Sequence, residues 1–204
     1  KPIHLDDLEK TMLRVKQEIL DRRTKEASLE QMQETIAKVS PLLREVFLKD
    51  LLFGRLSSDD ISTQAKTHSL PQRSIYQIGL IQIDDYFEDN SQSLFDRQNQ
   101  LEIYFDDLCT KQNNCIIFSK SVNEYIFFCF SASTQALKNQ VRTYAQQIME
   151  WASAHFISLT ISLGCTVEEL AALHRSYQSA LHTADLKFLR GGGRILYYED
   201  LNSN

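Results

Sequence analysis

Asn114 to Phe130 (NCIIFSKSVNEYIFFCF) reads as two strands running back to back. Asn114 to Lys120 and Glu124 to Phe130 are rich in Ile, Phe and Tyr, and the polar Ser121-Val122-Asn123 between them is short enough for a tight hairpin turn. The apolar run Tyr125 to Phe130 has the length of a buried strand, far below the ~20 residues of a membrane span. Outward from this hairpin the periods alternate. Upstream lie a strand at Ile75 to Ile83 and a helical pattern over Ser91 to Thr110 carrying Leu94, Leu101, Phe105 and Leu108. Downstream, Leu137, Val141, Tyr144, Ile148 and Trp151 mark a second helix. Phe156 to Leu163 alternates as a strand, with Ile157, Leu159, Ile161 and Leu163 against Ser158, Thr160 and Ser162. A third helix is predicted from about Val167 to Leu189, with Leu170, Leu173, Tyr177, Leu181, Ala184 and Phe188 inward. Gly191-Gly192-Gly193 stops it, and Arg194 to Tyr198 forms a last strand.

The order β-α-β-β-α-β-α-β contains the split-βαβ, ferredoxin-like arrangement, an antiparallel sheet with helices on one face. The predicted class is therefore α+β, a ferredoxin-like antiparallel sheet with helices preceded by a long N-terminal helix or coiled coil. Three segments are predicted: a coiled-coil linker helix over 1–40, a helical connector over 41–70 and the sheet domain over 71–204. In the first segment Leu8, Met12, Val15 and Ile19 recur in threes and fours, and Leu29, Met32, Ile36 and Val39 resume the stripe. Its narrow seam and charged flanks favour a homodimeric coiled coil over packing on its own domain. The stripe fades through Arg22 and Glu26, where two consecutive threes leave a stammer, so residues 19–32 are the expected place for a switch of register. Ser40-Pro41 looks like a helix restart, Gly54 ends the next helix, and Ser57-Ser58-Asp59-Asp60 caps a short one reaching about His68.

Composition narrows the function. The 204 residues carry 43% hydrophobic and 24% charged side chains with only 6 Gly and 3 Pro, which excludes disordered and collagen-like chains. A net charge of −5 argues against a broad nucleic-acid-binding face. Cys109, Cys115, Cys129 and Cys165 have no C-x-x-C spacing and do not cluster with histidines. They read as reduced thiols of a cytoplasmic protein rather than zinc ligands. Gly191-Gly192-Gly193 closes a helix instead of opening one, so it is a cap and not a phosphate loop. Ser162 with His155 or His174 lacks a nucleophile elbow.

The order of elements together with Leu159-Thr-Ile-Ser-Leu-Gly164, Ala184-Asp185-Leu-Lys187 and Gly191-Gly-Gly-Arg194-Ile-Leu-Tyr197 resembles the GGDEF, or diguanylate cyclase, domain. The resemblance covers roughly residues 75–200. It implies a signature hairpin whose two glycines admit the nucleotide and whose acidic residues bind metal. Here that hairpin reads Ser121-Val122-Asn123-Glu124-Tyr125, and the expected D-x-D-x-F of the first strand reads Gln82-Ile83-Asp84-Asp85-Tyr86. Gln82, Asp84, Asn123 and Glu124 thus occupy vestigial cyclase positions, two of them stripped of charge. The R-x-x-D inhibitory motif would lie at Gln112-Asn113-Asn114-Cys115 and is absent. The expectation is a domain without catalytic residues, metal or cofactor. The open alternatives are a small-molecule or nucleotide sensor, or a divergent, weakly active cyclase using Asp84 and Glu124.

Lys1-Pro2-Ile3 with Asp6-Asp7-Leu8 is similar to the end of a receiver domain. With the helix Pro41 to Gly54 and the ending Tyr197 to Leu201, the whole looks like the central region of AraC-type two-component response regulators, and the absence of a starting Met fits a fragment. That resemblance implies a bacterial phosphorelay protein in which receiver and helix-turn-helix DNA-binding domains lie outside these residues. This segment would dimerise and pass the signal on to control transcription, without touching nucleic acid or membrane.

Overall fold

The computed structural model describes residues 32, 35–36, 39–72, 74–84 and 91–202. The chain divides into two compact units, Lys1–Val46 and Phe47–Asn204. In the first, residues 32, 35, 36 and 39–46 are helical. Helical geometry already holds at 39 and 40, so Ser40 is not the cap of a restarted helix. Of the predicted seam, Met32, Ile36 and Val39 are exposed, while Leu8, Met12, Val15, Ile19 and Leu29 lie outside the described residues, as do Arg22 and Glu26.

The second unit opens with α1 (residues 47–52), which ends at Gly54: the Gly54 N–H donates to Leu51 O and the Arg55 N–H to Asp50 O. Ser57 caps α2 (Ser58–Thr67) by accepting the Asp60 N–H at 3.2 Å, as its position predicts. Then follow β1 (Ile75–Ile83), α3 (Ser91–Gln112), β2 (Cys115–Ser121), β3 (Glu124–Ser131), α4 (Thr134–Ala154), β4 (Leu159–Val167), α5 (Leu173–Arg190) and β5 (Ile195–Tyr197). The sheet order is β2-β3-β1-β4-β5. All neighbours are antiparallel except β4 and β5, which run parallel because α5 carries the chain back across the sheet.

The sheet is covered on both faces. Ile81 and Ile83 of β1, Tyr125 and Phe127 of β3, and Leu159, Ile161 and Leu163 of β4 pack against Leu101, Phe105 and Leu108 of α3 and Leu137, Val141, Tyr144 and Ile148 of α4. This is the single helical face predicted from the split-βαβ order. The alternate residues Tyr76, Ile78, Leu80, Ile126 and Phe128 pack against α1, α2 and Leu173, Tyr177 and Ala180 of α5, adding a second helical layer. The predicted polar face of β4 is therefore buried: Thr160 and Ser162 lie beneath α5 at 0% exposure.

Close approach makes that layer possible. A Cβ on Gly164 would stand 2.0 Å from the Ser176 carbonyl oxygen, so only glycine lets α5 lie this near β4. Serines of α5 then satisfy backbone freed where the β1–β4 register shifts between Gln77 and Gly79. Ser176 Oγ accepts the Ile78 N–H at 2.9 Å and donates to Cys165 O at 2.6 Å, and Ser179 Oγ accepts the Cys165 N–H at 2.7 Å. These bonds also account for β4 running on to Val167, four residues past its predicted end, with a 3₁₀ turn (Leu170–Ala172) before α5. Phe188, in the last turn of α5, is 91% exposed instead of inward. Among the described residues no helix is long and apolar enough to cross a membrane.

Candidate functional site

Gln82, Asp84 and Glu124 converge at one end of β1, beneath the last turns of α5. The odd-numbered residues of β1 face α3 and α4, which turns Gln82 toward α5, and β3 pairs Glu124 opposite it. The hairpin falls where it is predicted but its turn is one residue shorter: Ser121 belongs to β2 and pairs with Glu124, leaving Val122 and Asn123 as a two-residue tip. Neither tip residue has a positive φ, so the turn forms without glycine. It is pinned by the Ile83 N–H donating to Asn123 O at 2.9 Å and by Gln98 Nε2 donating to Val122 O at 2.7 Å. The Asn123 side chain accepts from Ser121 Oγ at 3.2 Å, and Val122 stands exposed where the resemblance calls for bare backbone.

Asp84 is surrounded by donors. Its carboxylate meets Thr160 Oγ1 at 2.9 Å through both oxygens, Ser158 Oγ at 3.1 Å, the Gly193 N–H at 2.8 Å and Lys187 Nζ at 2.5 Å. A Cβ on Gly192 would stand 2.7 Å from Asp84 Oδ2, and Gly193 has a φ of +72°. The glycine triplet that caps α5 is thus also the clasp around Asp84, and the side chain is 10% exposed. A carboxylate holding this many donors anchors the start of β5 to β1 and β4.

Glu124 is committed as well. It accepts from Gln82 Nε2 at 2.8 Å and from Lys120 Nζ at 2.7 Å. Burial pushes its pKa up, but the hydrogen bonds from Lys120 and Gln82 and the Lys120 charge outweigh it and hold the carboxyl below its ordinary value. Burial likewise works against the Lys120 charge, and the contacts with Glu124 outweigh it to raise the ammonium. Between β1, β3 and α5 lies a cleft of about 400 Å³ lined by Leu80, Gln82, Glu124, Leu181, Ala184, Asp185, Lys187, Phe188 and Gly192.

This donor set does not fit a magnesium site. Gln82 turns its NH₂ toward Glu124, Glu124 is neutralised by Lys120, and Asp84 faces an ammonium and three neutral donors. No group of three or more His, Cys, Asp or Glu among the described residues is arranged to hold a metal ion. Sequence reasoning placed Gln82, Asp84, Asn123 and Glu124 at one end of the sheet but missed Thr160, Ser158, Lys120, Lys187 and Gly193. The signal available was the polar row Ser158, Thr160, Ser162 facing the small residues of α5. Ser162 is buried, and His155 and His174 hydrogen-bond to helix carbonyls, so no nucleophilic constellation forms.

A five-stranded sheet with a hairpin and a first-strand carboxylate meeting under a C-terminal helix is the fold of nucleotide-cyclase-like domains. Residues 53–186 match the GGDEF-like domain family, and the chain belongs to it, in a form whose signature positions have diverged. No curated protein matches the chain.

Proposed function

We propose that this is a non-enzymatic, dimerising and signal-transmitting region of a two-component response regulator. It would couple phosphorylation of a receiver domain to DNA-binding units outside these residues and so control transcription. The observation that carries the non-enzymatic reading is the state of its two remaining carboxylates. Asp84 is spent on the Gly193, Thr160, Ser158 and Lys187 clasp and Glu124 on Lys120 and Gln82, so neither carboxylate left at the cyclase positions is free to hold the metal that phosphoryl transfer needs. Dimerisation is supported by Ile36, Val39, Leu43 and Val46, exposed apolar side chains at three-four-three spacing. Incubation with GTP or ATP plus Mg²⁺ or Mn²⁺ is expected to give no cyclic or dinucleotide product, and turnover of either triphosphate would overturn the reading. Light scattering is expected to give a dimer that Val39→Asp with Leu43→Asp converts to a monomer; a wild-type chain monomeric at high concentration would remove the coiled coil.

A second reading, a small-molecule sensor, is favoured by the cleft beside Leu181 and Phe188. A thermal-shift screen of nucleotides and common metabolites separates the two, since a ligand at 100 times its Kd adds about 2.7 kcal/mol of stability.

A further inference from the structure

Away from the cleft, on the face covered by α3 and α4, three of the four cysteines converge. Cys109 lies in the last turn of α3, Cys115 is the first residue of β2, and Cys129 stands directly across from Cys115 in the β2–β3 register. The Cys115 thiol donates to Cys109 Sγ at 3.6 Å. The two differ in access: Cys109 is half-buried, whereas Cys115 and Cys129 are buried at 4% and 1% exposure. The connection between Cys109 and Cys115 is short and shaped. Asn113 takes a φ of +54°, and the Tyr144 hydroxyl of α4 binds both Gln112 Oε1 and Asn114 Oδ1, which holds the corner closed.

We propose that Cys109 and Cys115 form a redox-active dithiol that a hydroperoxide oxidises to a disulfide joining the end of α3 to the start of β2. Cys109 is the least buried of the three cysteines, and its sulfur receives the hydrogen bond from its partner. The hydrogen bond to Cys109 and then burial hold the Cys115 thiol well above its ordinary pKa, and burial does the same for Cys129. Those two are therefore poor first nucleophiles. The Cys109 thiolate attacks the terminal peroxide oxygen, the O–O bond breaks, and the remaining oxygen leaves as water or an alcohol after taking a proton. Cys109 is then a sulfenic acid. The Cys115 sulfur attacks Cys109 Sγ, the S–O bond breaks, and the hydroxide leaves as water with the Cys115 proton. In sum the two thiols lose two hydrogens and the peroxide is reduced.

The corner this bond would lock is the segment Gln112 to Cys115, where the cyclase resemblance places an inhibitory motif that the chain lacks. Oxidation would reach the sheet directly, because Cys115 opens a strand and faces Cys129 on the next.

The test is hydrogen peroxide applied to the whole chain, followed by alkylation in denaturant, thiol titration, intact mass and peptide mapping. The expected result is a halving of the titratable thiols from four, a mass loss of two hydrogens and a crosslink mapping to Cys109 and Cys115, all reversed by a dithiol reductant. Cys109→Ser, a change at a half-buried position, is expected to abolish the crosslink. Cys115→Ala is expected to leave a sulfenic acid on Cys109 that dimedone traps. A crosslink between Cys115 and Cys129, a disulfide between chains, or four thiols surviving peroxide would each overturn the proposal.

Discussion

The two faces of the sheet are held by different forces. Under α3 and α4 the contact is apolar and aromatic: Phe127 lies at 1% exposure among Tyr144, Leu163 and their neighbours, and Phe105 sits edge-on to Tyr125 at 5.1 Å. Under α5 the apolar Leu173, Tyr177 and Ala180 alternate with a polar set, and Gly164, Ser176, Ser179, Thr183 and Thr160 make close contacts in which hydroxyls bond to backbone and to Asp84. The contrast teaches that the face carrying the candidate site has its polar groups tied into architecture. A buried hydroxyl or carboxylate calls for partners, and here most find them in backbone and neighbouring side chains, with Ser162 Oγ the buried hydroxyl left without one among the described residues.

The comparison breaks if the two faces respond alike to changes of volume. Phe127→Ala is expected to cost about 4 kcal/mol in urea unfolding, from lost burial and the cavity left behind. Gly164→Ala removes nothing, yet its methyl meets the Ser176 carbonyl, and the separation of α5 from β4 is expected to cost about 3 kcal/mol. A neutral Gly164→Ala would mean that the close approach is not needed.

A smaller effect sharpens the account of the site. Below Glu124's ordinary value of 4.5 the unfolded chain takes up a proton that the folded chain refuses, so stability falls as pH drops through the depressed folded value. Above the ordinary value of 10.5 for Lys120 the unfolded chain loses a proton that the folded chain keeps, so stability falls as pH rises through the raised folded value. The pair is at full strength between those limits. Glu124→Gln is expected to cost roughly 1 kcal/mol at neutral pH and to flatten the acid side of the profile. An unchanged acid limb would mean that the Lys120 contact is not formed in solution.

Much of this was legible in the linear order of residues. The hairpin, its turn, the helices α3 and α4 and the Ser57 cap follow from periodicity and turn chemistry, which act over a few residues. Phe188 and the polar row of β4 were not legible. Whether an amphipathic position faces a core depends on where the element ends relative to its neighbours, and a row of Ser and Thr looks solvent-facing until a helix of small residues covers it. The vestigial positions Gln82 and Asn123 were visible as missing charge, but the fate of Asp84 was not, because its donors come from residues 158, 160, 187 and 193.

By itself the amino-acid order settled the succession of strands and helices, the loss of two carboxylates from the cyclase-like positions and the lack of glycine in the signature hairpin, since each is a property of side chains at known spacing. Only the tertiary structure decided that Asp84 and Glu124 are already neutralised, that α5 covers a second face, and that Cys109 and Cys115 meet. Those outcomes depend on distances between elements far apart in the chain, which local spacing does not encode.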